Sequence, residues 1–391
     1  MLNSKTRLKV VFLVLATVVL ASCRNGNTAP ASAQGDTLRL KYATLLTIVD
    51  YDGYSVVSIS NPWKEGKTLH KYVLVNGQHG EPRDNAWQQM TDVTVIHTPV
   101  ERAAVFTTVH CALLVNWGCG EQIVGVADSK YIKIPWIQQQ IKTGKIIDCG
   151  NGLNPVVEKI MDIRPDVIML SPFENSGGYG KVEDIHVPLV ECAEYMETSP
   201  LARAEWMKFY GRLFGRQQQA DSLFAVVDSS YHALKILAAK AGEGRSVLFD
   251  KMVGSVWYMP GGQSTIGQMA QDAGARYPWA HDEQSGSLSL PFETVLERGG
   301  DCGTWLFRYS SDHDITRAEL LSEHEGYDRL QAFRTGKVYG CNVDVTPFYE
   351  ETPFRPDFLL SDFIQIVHPE VSGLQPVRYY KELKYEKKQG R

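Results

Sequence analysis

Two stretches far apart in the chain carry the same pattern. Glu158-Lys159-Ile160 reaches Asp166 eight residues later, and Glu293-Thr294-Val295 reaches Asp301 at the same interval. Each reads as a short amphipathic helix followed by an apolar run, Val167-Ile168-Met169-Leu170 in the first and Thr304-Trp305-Leu306-Phe307 in the second. That is the pattern of a helix feeding a buried strand. A chain that repeats such a unit is steered toward two related α/β lobes. Exposed glutamates and an ordinary turn at Arg164-Pro165-Asp166 would leave the same trace, so the rest of the chain has to decide.

At the amino terminus, Lys5, Arg7 and Lys9 precede an apolar run from Val10 to Ala21. The run is too short to span a bilayer comfortably and reads as a secretory signal over residues 1–22. It ends in Leu20-Ala21-Ser22-Cys23, which resembles the lipobox of bacterial lipoproteins. The resemblance implies lipidation of Cys23 and a periplasmic or extracytoplasmic protein anchored to a membrane. Residues 23–36, rich in Ala, Ser, Asn and Gly, have almost nothing to bury and suit a tether.

The formal net charge of -5 gives no electrostatic footprint for nucleic acid, which is excluded as a partner. None of the seven cysteines forms a CxxC pair, so no zinc or redox motif is signalled. Cys302 opens its predicted strand and Cys341 closes its own. In parallel neighbours that offset exceeds disulfide reach of about 7 Å between Cα atoms, and free buried thiols are expected.

Residues 37–98 alternate polar and apolar groups over short runs broken at Asp52-Gly53, Asn61-Pro62 and Asn76-Gly77, as in a small β-rich leader. From Arg102 onward strands and helices alternate, which predicts an α/β lobe over 99–198 with a parallel sheet. After Ser199-Pro200 the stripe Trp206, Tyr210, Leu213, Ala220, Phe224, Val227, Tyr231, Leu234 and Ala238 predicts one long helix over 199–241, with Ser199 as its N-cap. Alternation then resumes in a second α/β lobe over 242–391. The fold class expected is α/β: two parallel-sheet lobes joined by one long rigid helix.

Ligands of open parallel sheets collect beyond the carboxyl ends of the strands. The loops expected there carry Tyr131, Phe173 and Tyr179 in the first lobe and Trp257, Tyr258, Arg308 and Tyr349 in the second. Aromatic walls suit a large planar ligand or macrocycle, and Arg308 can engage a carboxylate or phosphate bidentately. Tyr131, Phe173, Trp257 and Tyr349 are expected to face one cleft. No GxSxG, HExxH, Walker or GxGxxG motif occurs, so no catalytic residue is assigned and no cofactor is expected. Gly177-Gly178 and Gly261-Gly262 read as flexible loop turns. His110, His281 and His313 could converge on a metal with Asp312 or Asp314, but their spacing does not enforce it and no metal site is assigned.

Gly125-Val126 followed by Ser129-Lys130-Tyr131, both glutamate units, Arg164-Pro165-Asp166-Val167-Ile168 and the long helix together resemble the substrate-binding lipoproteins of ABC importers. The resemblance is to the class that binds ferric siderophores, haem and cobalamin, and covers about residues 100 to 385. The stretches Ala193 to Trp206 and Trp257 to Gly262 resemble an iron-compound-binding subgroup. It implies two lobes that close only slightly, and a non-enzymatic receptor that delivers an iron chelate (siderophore or haem) or cobalamin to a dimeric ABC permease. Glu158 and Glu293 match the family's docking glutamates, one per lobe. The second unit departs from the pattern in having Gly300-Asp301 where the family has Pro-Asp, and no residue is placed so that it must be an axial haem ligand. A secreted lipoprotein enzyme and a transition-metal receptor are the alternatives.

Overall fold

The computed structural model describes residues 35–77, 86–174 and 178–385; the signal segment and Cys23 lie outside them. In the first lobe, strands Leu189–Glu191, Val167–Leu170, Ala103–Val105, Ile123–Val126 and Ile147–Asp148 lie side by side in that order, every pair parallel. Val167–Leu170 is buried at all four positions. Crossover helices cover both faces of such a sheet, so its inner strands read as unbroken apolar runs. In the second lobe Val247–Phe249, Thr304–Tyr309 and Val338–Asn342 are parallel neighbours, and Lys381–Glu382 closes the edge antiparallel. A separate antiparallel sheet, Met252–Val253, Val256–Pro260 and Ser287–Leu290, belongs to the same lobe.

The repeated units form the elements their pattern requires: helix Val157–Ile163 leads to Val167–Leu170, and helix Phe292–Gly299 to Thr304–Tyr309. Asp166 has a structural task. Its Oδ2 accepts the backbone N–H groups of Glu101 and Arg102 at 3.0 and 2.8 Å, fixing the entry to the Ala103–Val105 strand.

The connection between the lobes corrects the expectation of one helix. It is three: Pro200–Glu205, Met207–Leu213 and Gln217–Ala241. Ser199 does cap the first, accepting from the Ala202 N–H. Gly215 then turns the chain with φ 63°, and Gly211 allows a close return, because a Cβ there would lie 2.7 Å from the Cβ of Ala220. The stripe survives the breaks because each segment buries its own face. Trp206, Tyr210, Leu213, Phe224, Val227, Tyr231 and Ala238 are all in the core.

The β-rich segment is a five-stranded sheet running from Asp36–Thr37 to Thr94–Thr98. Leu46, Ile48, Val57 and Ile59 share one core with the lobes. Its attachment is polar as well. Glu205 accepts the backbone N–H groups of Lys41, Tyr42 and Ala43, and Glu197 those of Thr44 and Leu45, at 2.8 to 3.0 Å. Both carboxylates are buried, and these bonds offset a desolvation that would otherwise be prohibitive.

All six cysteines of the described residues are free and buried. Burial pushes Cys149 up to about 11 and Cys302 and Cys341 up to about 12, so the reactive thiolate is scarce at neutral pH. Among the described residues no helix is long and apolar enough to cross a membrane.

Candidate functional site

A cavity of about 330 Å³ lies between the lobes. Thr107 and Thr108 line it from the loop and helix that follow the first strand, and Arg203 from the first connecting helix. Thr265, Ile266, Arg308, Phe348 and Tyr349 line it from the second lobe. Beside it the lobes are tied together: Thr108 Oγ1 donates to Glu350 Oε1 at 3.1 Å, and Lys133 Nζ lies 3.2 Å from Asp344.

Arg308 is the best-positioned charge. It sits near the end of the Thr304–Tyr309 strand and donates from Nε and Nη2 to both oxygens of Asp250, at 3.1 and 2.7 Å. Burial alone would pull its pKa down, but the Asp250 carboxylate outweighs that and drives it up. The guanidinium carbon lies 5.6 Å from the ring centre of Phe348 and 5.9 Å from that of Tyr349, within cation–π range. Arg203 is the second cation. Its Nε is buried without a hydrogen-bond partner, and burial lowers its pKa against the pull of Glu194.

The structure therefore places Arg308 and Tyr349 on one wall, but the expectation of a common aromatic cleft needs correction. Trp257 is fully buried. Its Nε1 donates to the Phe249 carbonyl at 2.8 Å, and the rings of Trp305, Tyr327 and Phe292 surround it. Successive residues of a strand face opposite sides, so Trp257 points into the lobe while Tyr258 is exposed, and neither lines the cavity. Phe173 and Tyr179 line a different hollow of about 310 Å³, made only of first-lobe residues. The Tyr179 hydroxyl donates to Glu191 at 2.6 Å. Tyr131 is 64% exposed, with the Lys130 ammonium 4.7 Å from its ring centre, and lines neither space.

Gly261-Gly262 is not a loose turn. A Cβ on Gly261 would meet the Gln284 carbonyl oxygen at 2.2 Å, and one on Gly262 that of Asp282 at 2.4 Å, so these glycines permit close backbone packing. Of Gly177-Gly178, the first lies outside the described residues. The three histidines do not converge: His110 is buried, whereas His281 and His313 are exposed, His313 between Asp312 and Glu319. Sequence reasoning missed Arg203 as a cavity residue. Nothing in its spacing marks it.

The profile of the family described as periplasmic binding protein matches residues 104–345, well over half of the chain. The chain belongs to the periplasmic binding protein family. It is similar to an uncharacterized lipoprotein of Methanocaldococcus jannaschii, 25% identical over 96% of this chain and 95% of that one. A second uncharacterized lipoprotein of the same organism is 24% identical over 82% of this chain and 84% of its own. Among solved structures, a periplasmic heme binding protein from Pseudomonas aeruginosa superposes with TM-score 0.57 at 16% identity, covering 73% of this chain and all of that one. An ABC-type Fe3+-hydroxamate transport protein from Saccharomonospora viridis gives 0.53 at 18%, covering 68% and 93%. These likenesses establish the two-lobed fold of a periplasmic binding protein for this chain. Within it, Glu158 and Glu293 both stand exposed in the first turns of their helices.

Proposed function

We propose that the protein is a membrane-anchored substrate-binding lipoprotein that captures an iron chelate (siderophore or haem) or cobalamin between its lobes and passes it to an ABC importer. The observation that carries this reading is the wall formed by Arg308, Phe348 and Tyr349 in the interlobe cavity. It offers a fixed cation for an anionic group and apolar rings for a planar or macrocyclic body. The volume of about 330 Å³ lies at the low end for small-molecule sites, so part of a large chelate would project from the cleft. Lipidation at Cys23 supplies the tether.

Glu158 and Glu293 serve as docking points for the permease dimer. Each opens a helix whose far end leads into a parallel strand. An antiparallel helix and strand put the helix start at the carboxyl side of the sheet, the side of the ligand, in both lobes. Exposed ion pairs are worth about 0 to 1 kcal/mol each, so they orient the complex more than they drive it.

The test is absorbance of the purified protein after incubation and desalting with haem, cyanocobalamin and ferric chelates in turn. Stoichiometric retention of one of them is expected. Retention of none would remove the reading.

A further inference from the structure

Behind the cavity wall three buried side chains converge. The ligand atoms of His110, Cys192 and Glu194 all lie within 4.8 Å of one another. The parallel sheet brings them together: Ala103–Val105 and Leu189–Glu191 flank Val167–Leu170, so the residues following their carboxyl ends meet over one edge. Thr107 Oγ1 bonds His110 Nδ1, while Nε2, fully buried, has no hydrogen-bond partner and lies 3.6 Å from Glu194 Oε2. A buried polar atom left unmatched is destabilising. If Nδ1 carries the proton and donates to Thr107, the bare Nε2 lone pair faces a carboxylate, an arrangement that a cation between them would stabilise. Neutral imidazole is the ligand form.

Charge selects the kind of ion. The groups facing the cluster are Glu194, Arg203 and Tyr210, whose hydroxyl donates to Glu194 at 2.8 Å; the buried Glu191 carboxylate also acts on Cys192, but its two oxygens are held by His70 and the Tyr179 hydroxyl. Glu194 and Arg203 already balance. Loss of the Cys192 thiol proton to solvent on forming a sulfur–metal bond is matched by a monovalent ion, whereas a divalent ion leaves an uncompensated buried charge, which is strongly unfavourable. Thiolate and imidazole together suit Cu+. We propose that His110 Nε2 and Cys192 Sγ, with Glu194 alongside, hold one soft monovalent transition-metal cation of the Cu+ kind, entering from the cleft past Thr107 and Arg203. This site is separate from the cleft's cargo and does not depend on it.

The reduced, chelator-treated full chain is titrated with Ag+, the redox-inert stand-in for Cu+, and separately with Zn2+. The readouts are silver–thiolate absorbance, proton release and the thermal midpoint. The folded protein should take up one Ag+, release one proton and melt higher. Cys192→Ser and His110→Gln should each weaken uptake by about tenfold or more, and Cys111→Ser, a buried thiol outside the cluster, should not; far-UV circular dichroism identifies any variant that fails to fold. Uptake that is absent, or unchanged in a folded His110→Gln, overturns the site. Zn2+ binding there more tightly than Ag+ overturns its assignment to a monovalent ion.

Discussion

Arg308 and Asp250 form a two-bond pair that joins the cleft to the core of the second lobe. While its side chain holds the guanidinium, the Asp250 backbone accepts from Trp305 Nε1 at 2.6 Å and donates to the Leu306 carbonyl at 2.8 Å. Asp250 adopts φ 54°, a region that aspartate tolerates better than most residues. Its place in the fold thus dictates where the cation sits.

Asp250→Asn keeps the shape and removes the charge. It should lower stability by about 1–3 kcal/mol, the range for a hydrogen bond to a charged, partly buried group, and weaken ligand binding by freeing the guanidinium. Urea denaturation checks the first part. An unchanged midpoint would mean that the pair is effectively solvated.

Trp257→Ala should cost about 3–5 kcal/mol of stability, as for an aromatic removed from a close-packed core. Ligand affinity of the folded fraction should stay the same, because the indole lies among Phe292, Trp305 and Tyr327. Calorimetric unfolding with a parallel binding titration separates the two effects.

The residues that sequence reasoning located correctly are those whose signal is local. The Glu158 and Glu293 units are short helix-to-strand segments, and the apolar runs they feed could hardly be anything but inner strands. Trp257 went astray because composition drew attention to the aromatics, while the two-residue period of Val256–Pro260 decides which of Trp257 and Tyr258 faces inward. The connecting segment misled in another way: steps of three and four residues continue across a turn when each helix buries the same side, and Gly211 and Gly215 were the only marks of the break. The nearness of His110 to Cys192 and Glu194 is a product of strand order, which no spacing along the chain encodes.

Asp362 supplies a pH dependence. Burial pushes its carboxyl up to about 6, although the Arg378 and Tyr379 N–H groups donate to it at 2.8 and 2.7 Å and pull the other way. A folded pKa above the unfolded value of about 4 means that the folded state holds the proton longer. The contribution of Asp362 to stability is therefore complete below about pH 4 and falls as pH rises through about 6. Asp362→Asn does not titrate, so its stability relative to the parent should improve by about 2–3 kcal/mol between pH 4 and 7. A difference that does not vary with pH would contradict this.

Reversing Glu158 and Glu293 to lysine should change stability by no more than about 1 kcal/mol each, mainly through the helix dipole, while ligand uptake by cells falls sharply. Uptake assays on a strain carrying the double variant, with ligand binding measured on the purified protein, test docking apart from capture. Normal uptake would end the docking role.

The most direct test of the cleft as the ligand site is the dissociation constant of the retained ligand for the parent protein and for Tyr349→Ala. Tyr349 is 46% exposed on the cavity wall, so its ring can be removed with little effect on the core. An affinity loss of about 1–3 kcal/mol, roughly fivefold to 150-fold, is predicted. Identical constants for the two proteins would place the ligand elsewhere.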